Sequence, residues 1–543
     1  MGNIAQFPIS VGGGLDLIST TQEMNQKPGF ARQLINFESA LTGGYRRISG
    51  YEKLGGISAA SVGGETTQVL GLYPYADGVV ACIEEDIYFS TDGTSWLQIN
   101  KDLSAGGNGT ALAAASAVTR TNQGRCTFVH YEGNTPHGEL LVLDGTNDIF
   151  YIKFVGDGVG RMYYTNEIDY VATAVPQAQW GTVFKDHVIL VGDPTEPDTI
   201  FWSNAFEPTN FTGGTSGFIQ VPDIITGVVS WRDKLIVFGK NSISEIVDIN
   251  GQVSLQSISR NIGCISGWTI QEIGGDIVWL APDGLRNIAG TAKIDDIELS
   301  SISRNISPII NNLINQFDNY TITSMVIRSK NQYRLYYIDE DAIATTGTKQ
   351  YGIIGTYKMS QEGLRWEWSE TLGIHPYSTT SIINESLADT FNKSEVILHG
   401  GLDGYVYLHD SGNSFNGDNI DATYEVPELD YGDIGTKKTL HWIDTFFVVE
   451  GANTSINMYV SYDFGSSSTM QPNTYKISDL LALAVYDDAL FDSAEFSSTA
   501  RAVSRVRVEG SGYSHSIKIT SFSSESAFSI SNMYIRFYTG KPL

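Results

Sequence analysis

Eight histidines, three cysteines and a surplus of carboxylates are the groups from which this 543-residue chain would have to build any chemistry. The histidines (His130, His137, His187, His375, His399, His409, His441 and His515) are scattered. No two have the spacing that puts a pair of imidazoles on one helix face for zinc, and no H-E-x-x-H occurs. His399 and His409 flank a turn, a weak coincidence by itself. Cys82, Cys126 and Cys264 are far apart and odd in number, and each sits among apolar or β-type residues, as in Val79-Val80-Ala81-Cys82-Ile83. They read as buried reduced thiols rather than a disulfide or a metal site. The glycine-rich stretches near 11–14, 105–109 and 213–217 lack a following Lys-Ser/Thr, so none is a phosphate loop. The run Asp193-Pro194-Thr195-Glu196-Pro197-Asp198 has acids enough for a cation, but its two prolines favour a rigid surface loop, and there is no EF-hand pattern. The expectation is therefore no catalytic, cofactor-binding or metal residue, and a protein that is not an enzyme.

The sharpest local motif is Ser90-Thr91-Asp92-Gly93-Thr94-Ser95-Trp96. It resembles a shortened Asp-box, the turn joining the outer strands of sialidase-like blades, in which Asp and Ser side chains bond the turn backbone and Trp packs beneath. Ser461-Tyr462-Asp463-Phe464-Gly465-Ser466-Ser467 is a looser echo without the Trp. Such turns are structural wherever they occur. A sialidase needs an arginine cluster, a tyrosine nucleophile with an acidic partner and an acid/base aspartate. Arg46, Arg47, Arg120, Arg125, Arg161, Arg232 and Arg260 are present, but no spacing singles out three of them.

The elements that must carry these residues are strands. Hydrophobic residues make up 41% and aromatics 11%, charged residues only 17%, with 56 glycines; that mixture favours short strands joined by tight turns. From about 66 to 410 one sentence recurs: apolar strand, turn, alternating strand, turn. Examples are Gly78-Val79-Val80-Ala81-Cys82-Ile83, His187-Val188-Ile189-Leu190-Val191-Gly192 and Lys234-Leu235-Ile236-Val237-Phe238-Gly239. Each unit is a meander of about 35–50 residues, the period of propeller blades, and buries its faces by stacking on copies of itself. The fold class is all-β: a β-propeller of six to eight blades, seven preferred, over 66–410, then a C-terminal β-sandwich-like domain over 411–543. Residues 1–65 are expected to form an N-terminal arm, with 32–37 and 44–48 supplying an outer strand that closes the ring. One amphipathic helix is predicted at 308–317, capped by Ser307 with Pro308 at its first position. The polar stretch 411–419 marks the domain boundary, and 477–496 reads as a projecting loop.

The net charge of −27 argues against a grip on nucleic acid or on an anionic membrane. It suits a wall along which DNA slides without sticking. The first residues show no secretory signal or myristoylation motif, and no window is apolar enough for a membrane span.

Several phrases, in order, resemble the podovirus-type phage tail nozzle proteins, also called tail tubular protein B-like or packaged-DNA stabilisation proteins. They are Gly13-Gly14-Leu15-Asp16, Ala31-Arg32-Gln33-Leu34-Ile35-Asn36-Phe37, and Tyr45-Arg46-Arg47-Ile48-Ser49-Gly50-Tyr51-Glu52-Lys53-Leu54. Further on come Phe201-Trp202-Ser203-Asn204, Trp231-Arg232-Asp233-Lys234-Leu235, Ser259-Arg260-Asn261-Ile262-Gly263-Cys264, Ala281-Pro282-Asp283-Gly284-Leu285 and Gly400-Gly401-Leu402-Asp403-Gly404-Tyr405. The resemblance spans about 10–450 and implies a virion protein assembled in the host bacterial cytoplasm. It implies a homohexamer ring at the distal end of a short tail, continuing the channel of the portal-adaptor proteins and presenting surfaces to tail fibres or a spike. Such a ring retains packaged double-stranded DNA and gates its ejection, with no sequence-specific binding and no cofactor. The alternative is a glycan-binding or glycan-cleaving, sialidase-like propeller of a receptor-binding tail protein.

Overall fold

The computed structural model describes all residues except 1–3, 41–42, 100–119, 121–123, 134–136, 156–160, 166–175, 213, 250–252, 289–300, 361–362, 384–394, 452–454, 478–500 and 543. A strand whose side chains alternate can bury both faces only between two like neighbours. Gly78–Ile83 does this: Val80 and Cys82 pack toward the second blade, Val79, Ala81 and Ile83 toward the last.

Seven meanders succeed one another round a ring. Their innermost strands are Val69–Tyr75, Thr127–Tyr131, Trp180–Phe184, Ile225–Trp231, Gln271–Ile273, Thr321–Ile327 and Ser378–Ile383. Six of the meanders are four-stranded; the fifth has three described strands, Gln271–Ile273, Asp276–Ala281 and Gly284–Asn287. Each adjacent pair shares its own apolar cluster, and the last shares one with the first, so the ring is closed. The protein is a β-propeller of seven blades, six with four described strands and one with three.

The outer strand of the last blade is Tyr51–Lys53, paired with Val406–His409. The segments 32–37 and 44–48, expected to do this, go elsewhere. Gln33–Ile35 lies between Gly363–Leu372 of the sixth blade and Ile420–Glu425, which makes one nine-stranded sheet running out of the propeller. Phe37–Ser39 and Tyr45–Arg47 form a hairpin on a second sheet with Phe528–Pro542, Thr436–Val449 and Arg501–Arg507. Ile4–Ser10 pairs with the other part of Phe528–Pro542. The reason is burial: Phe37 and Tyr45 are fully enclosed in the core between the two sheets, with Met458, Ile517 and Ile519 from one sheet and Leu440, Ile443 and Ile535 from the other.

The helix is Ser307–Asn315, with Ile310 and Leu313 buried in that same core. Pro308 is in its first turn, but Ser307 caps nothing with its side chain; the helix is entered through a 3-10 turn, Arg304–Ile306. Of the loop expected at 477–496, only Ile477 is described, as the end of the strand Tyr475–Ile477.

Candidate functional site

The inner strands converge on an axial cavity of about 250 Å³. Small residues let the blades come this close. A Cβ on Gly71 would stand 2.7 Å from the Cβ of Cys126, and one on Gly267 would stand 2.4 Å from the carbonyl oxygen of Thr226. The cavity's aromatic walls are Tyr73, Phe128, Trp180 and Trp268, with the two indoles edge to face at 4.7 Å. Its polar lining is hydroxyl and amide: Thr127, Gln271, Thr323, Ser324, Thr379 and Thr380 among others. No carboxylate or histidine side chain is among the described lining residues.

Arg125 is not part of this lining but packs against it. It stands two residues before the inner strand of the second blade, Thr127–Tyr131, and donates to the carbonyl oxygens of Ile322 (2.7 Å) and Tyr377 (2.8 Å). Its guanidinium lies 3.7 Å from the centroid of Trp268, a cation–π contact. Burial pulls its pKa down to about 10.

A second cluster lies where the N-terminal arm meets the last two blades. Arg334, fully buried, donates to Glu38 (3.0 Å) and Asp410 (3.2 Å), and Lys330 reaches Glu38 at 2.8 Å and Asp410 at 2.8 Å. Arg46 continues the chain outward, from Glu38 at 3.1 Å to Glu450 of the C-terminal domain at 2.5 Å. Burial disfavours the ionised Asp410 carboxyl, but Arg334 and Lys330 outweigh it and hold its pKa below the usual range.

His399 and His409, dismissed as ordinary by sequence, belong to this cluster. Their Nδ1 atoms are 3.2 Å apart. The Nε2 of His409 takes hydrogen bonds from Arg334 (3.0 Å) and Tyr336 (3.0 Å). A guanidinium can only donate, so His409 carries its proton on Nδ1 and gives it to the Nδ1 lone pair of His399. Burial drives the His399 pKa down to about 3; burial, then His399 and Arg334, push His409 well below its ordinary value. The signal was in the sequence: His399 pairs opposite Tyr407 across the 401–405 turn, which puts His409 diagonally on the same face.

Cys82 and Cys126 are also neighbours, not isolated thiols. Gly71 pairs opposite Cys82, and Cys126 fills the space a side chain there would take. The Cys126 sulfur accepts from Arg120 at 2.7 Å, and burial raises the Cys82 thiol. Cys264 is buried separately between the fourth and fifth blades.

The aspartate turns are structural. Ser90 Oγ accepts the Gly93 N–H (2.9 Å), Asp92 accepts the Thr94 N–H (2.8 Å), and Trp96 donates to the Ala60 carbonyl; the turn joins the two outer strands of the first blade. In the echo, Asp463 accepts the backbone N–H groups of Tyr513 (2.7 Å) and Ser514 (3.2 Å). Asp193 is engaged by Gln177 N (2.9 Å) and Thr195 N (2.7 Å) rather than poised for a cation. No group of three metal-ligating side chains occurs among the described residues, and no described helix is long and apolar enough to cross a membrane.

No family model matches the chain, and no curated protein does. Solved structures that it resembles include an exo-beta-1,3-galactanase from Phanerochaete chrysosporium (11% identity, 90% of this chain and 100% of that one, TM-score 0.23). Another is the extracellular domain of a putative hybrid two-component system from B. thetaiotaomicron (12%, 75% and 45%, TM-score 0.36). A third is the WD40 domain of Pan2 from Neurospora crassa (7%, 62% and 74%, TM-score 0.26). These superpositions are loose and no activity follows from them; the propeller rests on its own strand pairings.

Proposed function

We propose that this chain is a non-catalytic structural protein, a subunit of the ring-shaped nozzle of a short phage tail. In this role it extends the portal-adaptor channel, holds packaged DNA and releases it. The observation that carries the reading is the nine-stranded sheet that runs from the sixth blade through Gln33–Ile35 into the C-terminal domain. Backed by the Glu450–Arg46–Glu38–Arg334 chain of charges, it makes propeller and sandwich one stiff body, as a part under internal pressure requires. The net charge of −27 supports it too, since like charge keeps a duplex from adhering to the wall. The sialidase-like alternative asks for an arginine cluster and an acid/base aspartate, and the described lining of the axial cavity holds neither an arginine nor a carboxylate.

Negative-stain imaging and native mass measurement of the purified chain, alone and mixed with portal-adaptor complexes, test the reading. A six-fold ring, or capture by the portal-adaptor complex, is expected. A chain that stays monomeric at micromolar concentration and ignores that complex overturns it.

A further inference from the structure

The sheet of Ile4–Ser10, Phe528–Pro542, Thr436–Val449 and Arg501–Arg507 turns outward a face whose composition runs against that of the chain. Strand alternation sends Ile443, Met533 and Ile535 into the core and their neighbours outward. The pairings set out three outward rows. Arg507 stands opposite Trp442, which stands opposite Arg536; Arg505 stands opposite Asp444, which stands opposite Tyr534; Val503 stands opposite Phe446. Three guanidiniums and one carboxylate thus share these rows, in a chain with 61 acids for 34 bases. Asp444 serves two of the three, Arg505 at 2.6 Å and Arg536 at 3.1 Å. The face is open: Val503 is 53% exposed, the Arg505 side chain 54%, and Arg507 is exposed as well. Trp442, Phe446 and Tyr534 are half-buried, the last two edge to face at 5.5 Å.

Arginine and the large aromatics are the residues that dominate protein–protein contacts, through rigid apolar area and forked donors. At physiological salt a charge is felt over about 8 Å. A partner seated here therefore meets the guanidiniums before the chain's net charge of −27. The strand sets the form of that partner. Alternate residues of a strand point the same way and lie about 6.7 Å apart, and Val503, Arg505 and Arg507 are three such positions on Arg501–Arg507. An extended segment laid along them has the same period. It sets an apolar side chain on Val503 and Phe446 and a carboxylate on each of Arg505 and Arg507, with the Trp442 indole beside the second. We propose that this face docks an acidic protein segment in extended form, with carboxylates at two alternate positions and an apolar residue at the next. A polyphosphate finds the guanidiniums but nothing for the aliphatic end at Val503. The same face of a second copy sets arginine against arginine. The inference does not depend on the nozzle reading, since a free propeller carries the same face.

The test uses the full chain and the fluorescence anisotropy of labelled probes at one ionic strength. The first probe is a synthetic peptide repeating leucine-threonine-glutamate-threonine-glutamate-threonine. The others are the same composition with its glutamates side by side, the same peptide with lysine for glutamate, and an oligothymidylate of equal length. The alternating peptide is expected to bind at least about threefold more tightly than the side-by-side one and at least about tenfold more tightly than the lysine one, a tenfold step being about 1.4 kcal/mol. Arg507→Glu, on an exposed position, is expected to remove that preference with the thermal midpoint unchanged, and Trp442→Ala to weaken the alternating peptide about tenfold. Wild-type protein that does not prefer the alternating peptide overturns the proposal, and so does tighter binding of the oligothymidylate. An Arg507→Glu protein that keeps the preference overturns it too. Should Arg507→Glu not fold, Arg507→Gln is expected to lose most of the preference, and full retention counts against the proposal. Wild-type self-association that Arg507→Glu abolishes, with no peptide bound, assigns the face to a second copy and overturns it as well.

Discussion

Beside the axial cavity Arg125 meets two carbonyl oxygens and an indole, whereas at the arm joint Arg334 meets Glu38, Asp410, Gln332 and His409. Both are guanidiniums inside a β-propeller, and the difference lies in what converges on them. The cavity is formed by inner strands that the blade stacking already places, and its hydroxyls tie neighbouring blades together, Ser324 to the Trp268 carbonyl, Thr323 to Thr379 and Ser378 to the Val69 carbonyl. The joint gathers segments remote in sequence, with Glu38 from the arm against Lys330, Arg334 and Asp410 from two blades, beside the buried Phe37 of the same short strand. Buried ion pairs contribute modestly to stability but strongly penalise the wrong partner. Here they fix where a three-residue strand docks.

The largest break in this comparison is expected from Arg334→Met, which leaves Glu38 and Asp410 buried with less to balance them. Denaturant unfolding should show a loss of about 3–5 kcal/mol, and a loss under about 1 kcal/mol would mean the joint is not what holds the arm. Acid comes next. His399 and His515 have folded pKa values of about 3 against an ordinary 6.5, through burial. The folded chain therefore refuses protons that the unfolded chain accepts. This contribution is complete above pH 6.5 and is lost as pH falls toward about 3, by ~1.4 kcal/mol per pH unit for each histidine. His399→Phe should flatten the slope measured between pH 6.5 and 4.5, and an unchanged slope would assign it to other groups. The cavity wall gives a smaller effect. Gly71→Ala drives a Cβ to 2.7 Å from Cys126 Cβ and 2.8 Å from its carbonyl oxygen, which should cost about 1–3 kcal/mol and widen the first two blades. Smallest is Glu450→Gln at the half-exposed end of the charge chain. It should cost no more than about 1 kcal/mol in low salt and less in high salt.

The propeller was legible because each blade repeats the same succession of short apolar strands and turns, and strands such as Gly78–Ile83 or His187–Val191 are apolar throughout, as burial on both faces requires. The aspartate turn at Ser90–Trp96 was legible for a similar reason, since its bonds are made within a few residues. The arm was not. Gln33–Ile35, Phe37–Ser39 and Tyr45–Arg47 are three residues long, too short to show a period, and apart from the hairpin between the last two their partners lie hundreds of residues away. The short length of Tyr51–Lys53 hid the true ring-closing strand in the same way. Of the cavity, Trp180 and Trp268 stood out only as strand residues. Arg125 was only one of seven arginines without a telling spacing, because its partners, the carbonyl oxygens of Ile322 and Tyr377, lie in other blades. The contact between Cys82 and Cys126 depends on how two blades sit against each other, which no spacing along the chain encodes.

The pairing of Ile4–Ser10 with Phe528–Pro542 has a consequence for how the molecule is made. At synthesis rates of about 5–20 residues per second Ile4–Ser10 emerges roughly half a minute or more before its partner. Throughout that time the arm's strands are open edges, exposed to any other growing chain. The blades can stack as they appear, but the last one waits for Tyr51–Lys53 to fold back, and the sandwich waits for the final strand. Ile4–Ser10 is thus locked only when its distant partner arrives, and a chain cut short anywhere before Phe528 leaves it with no strand to pair with.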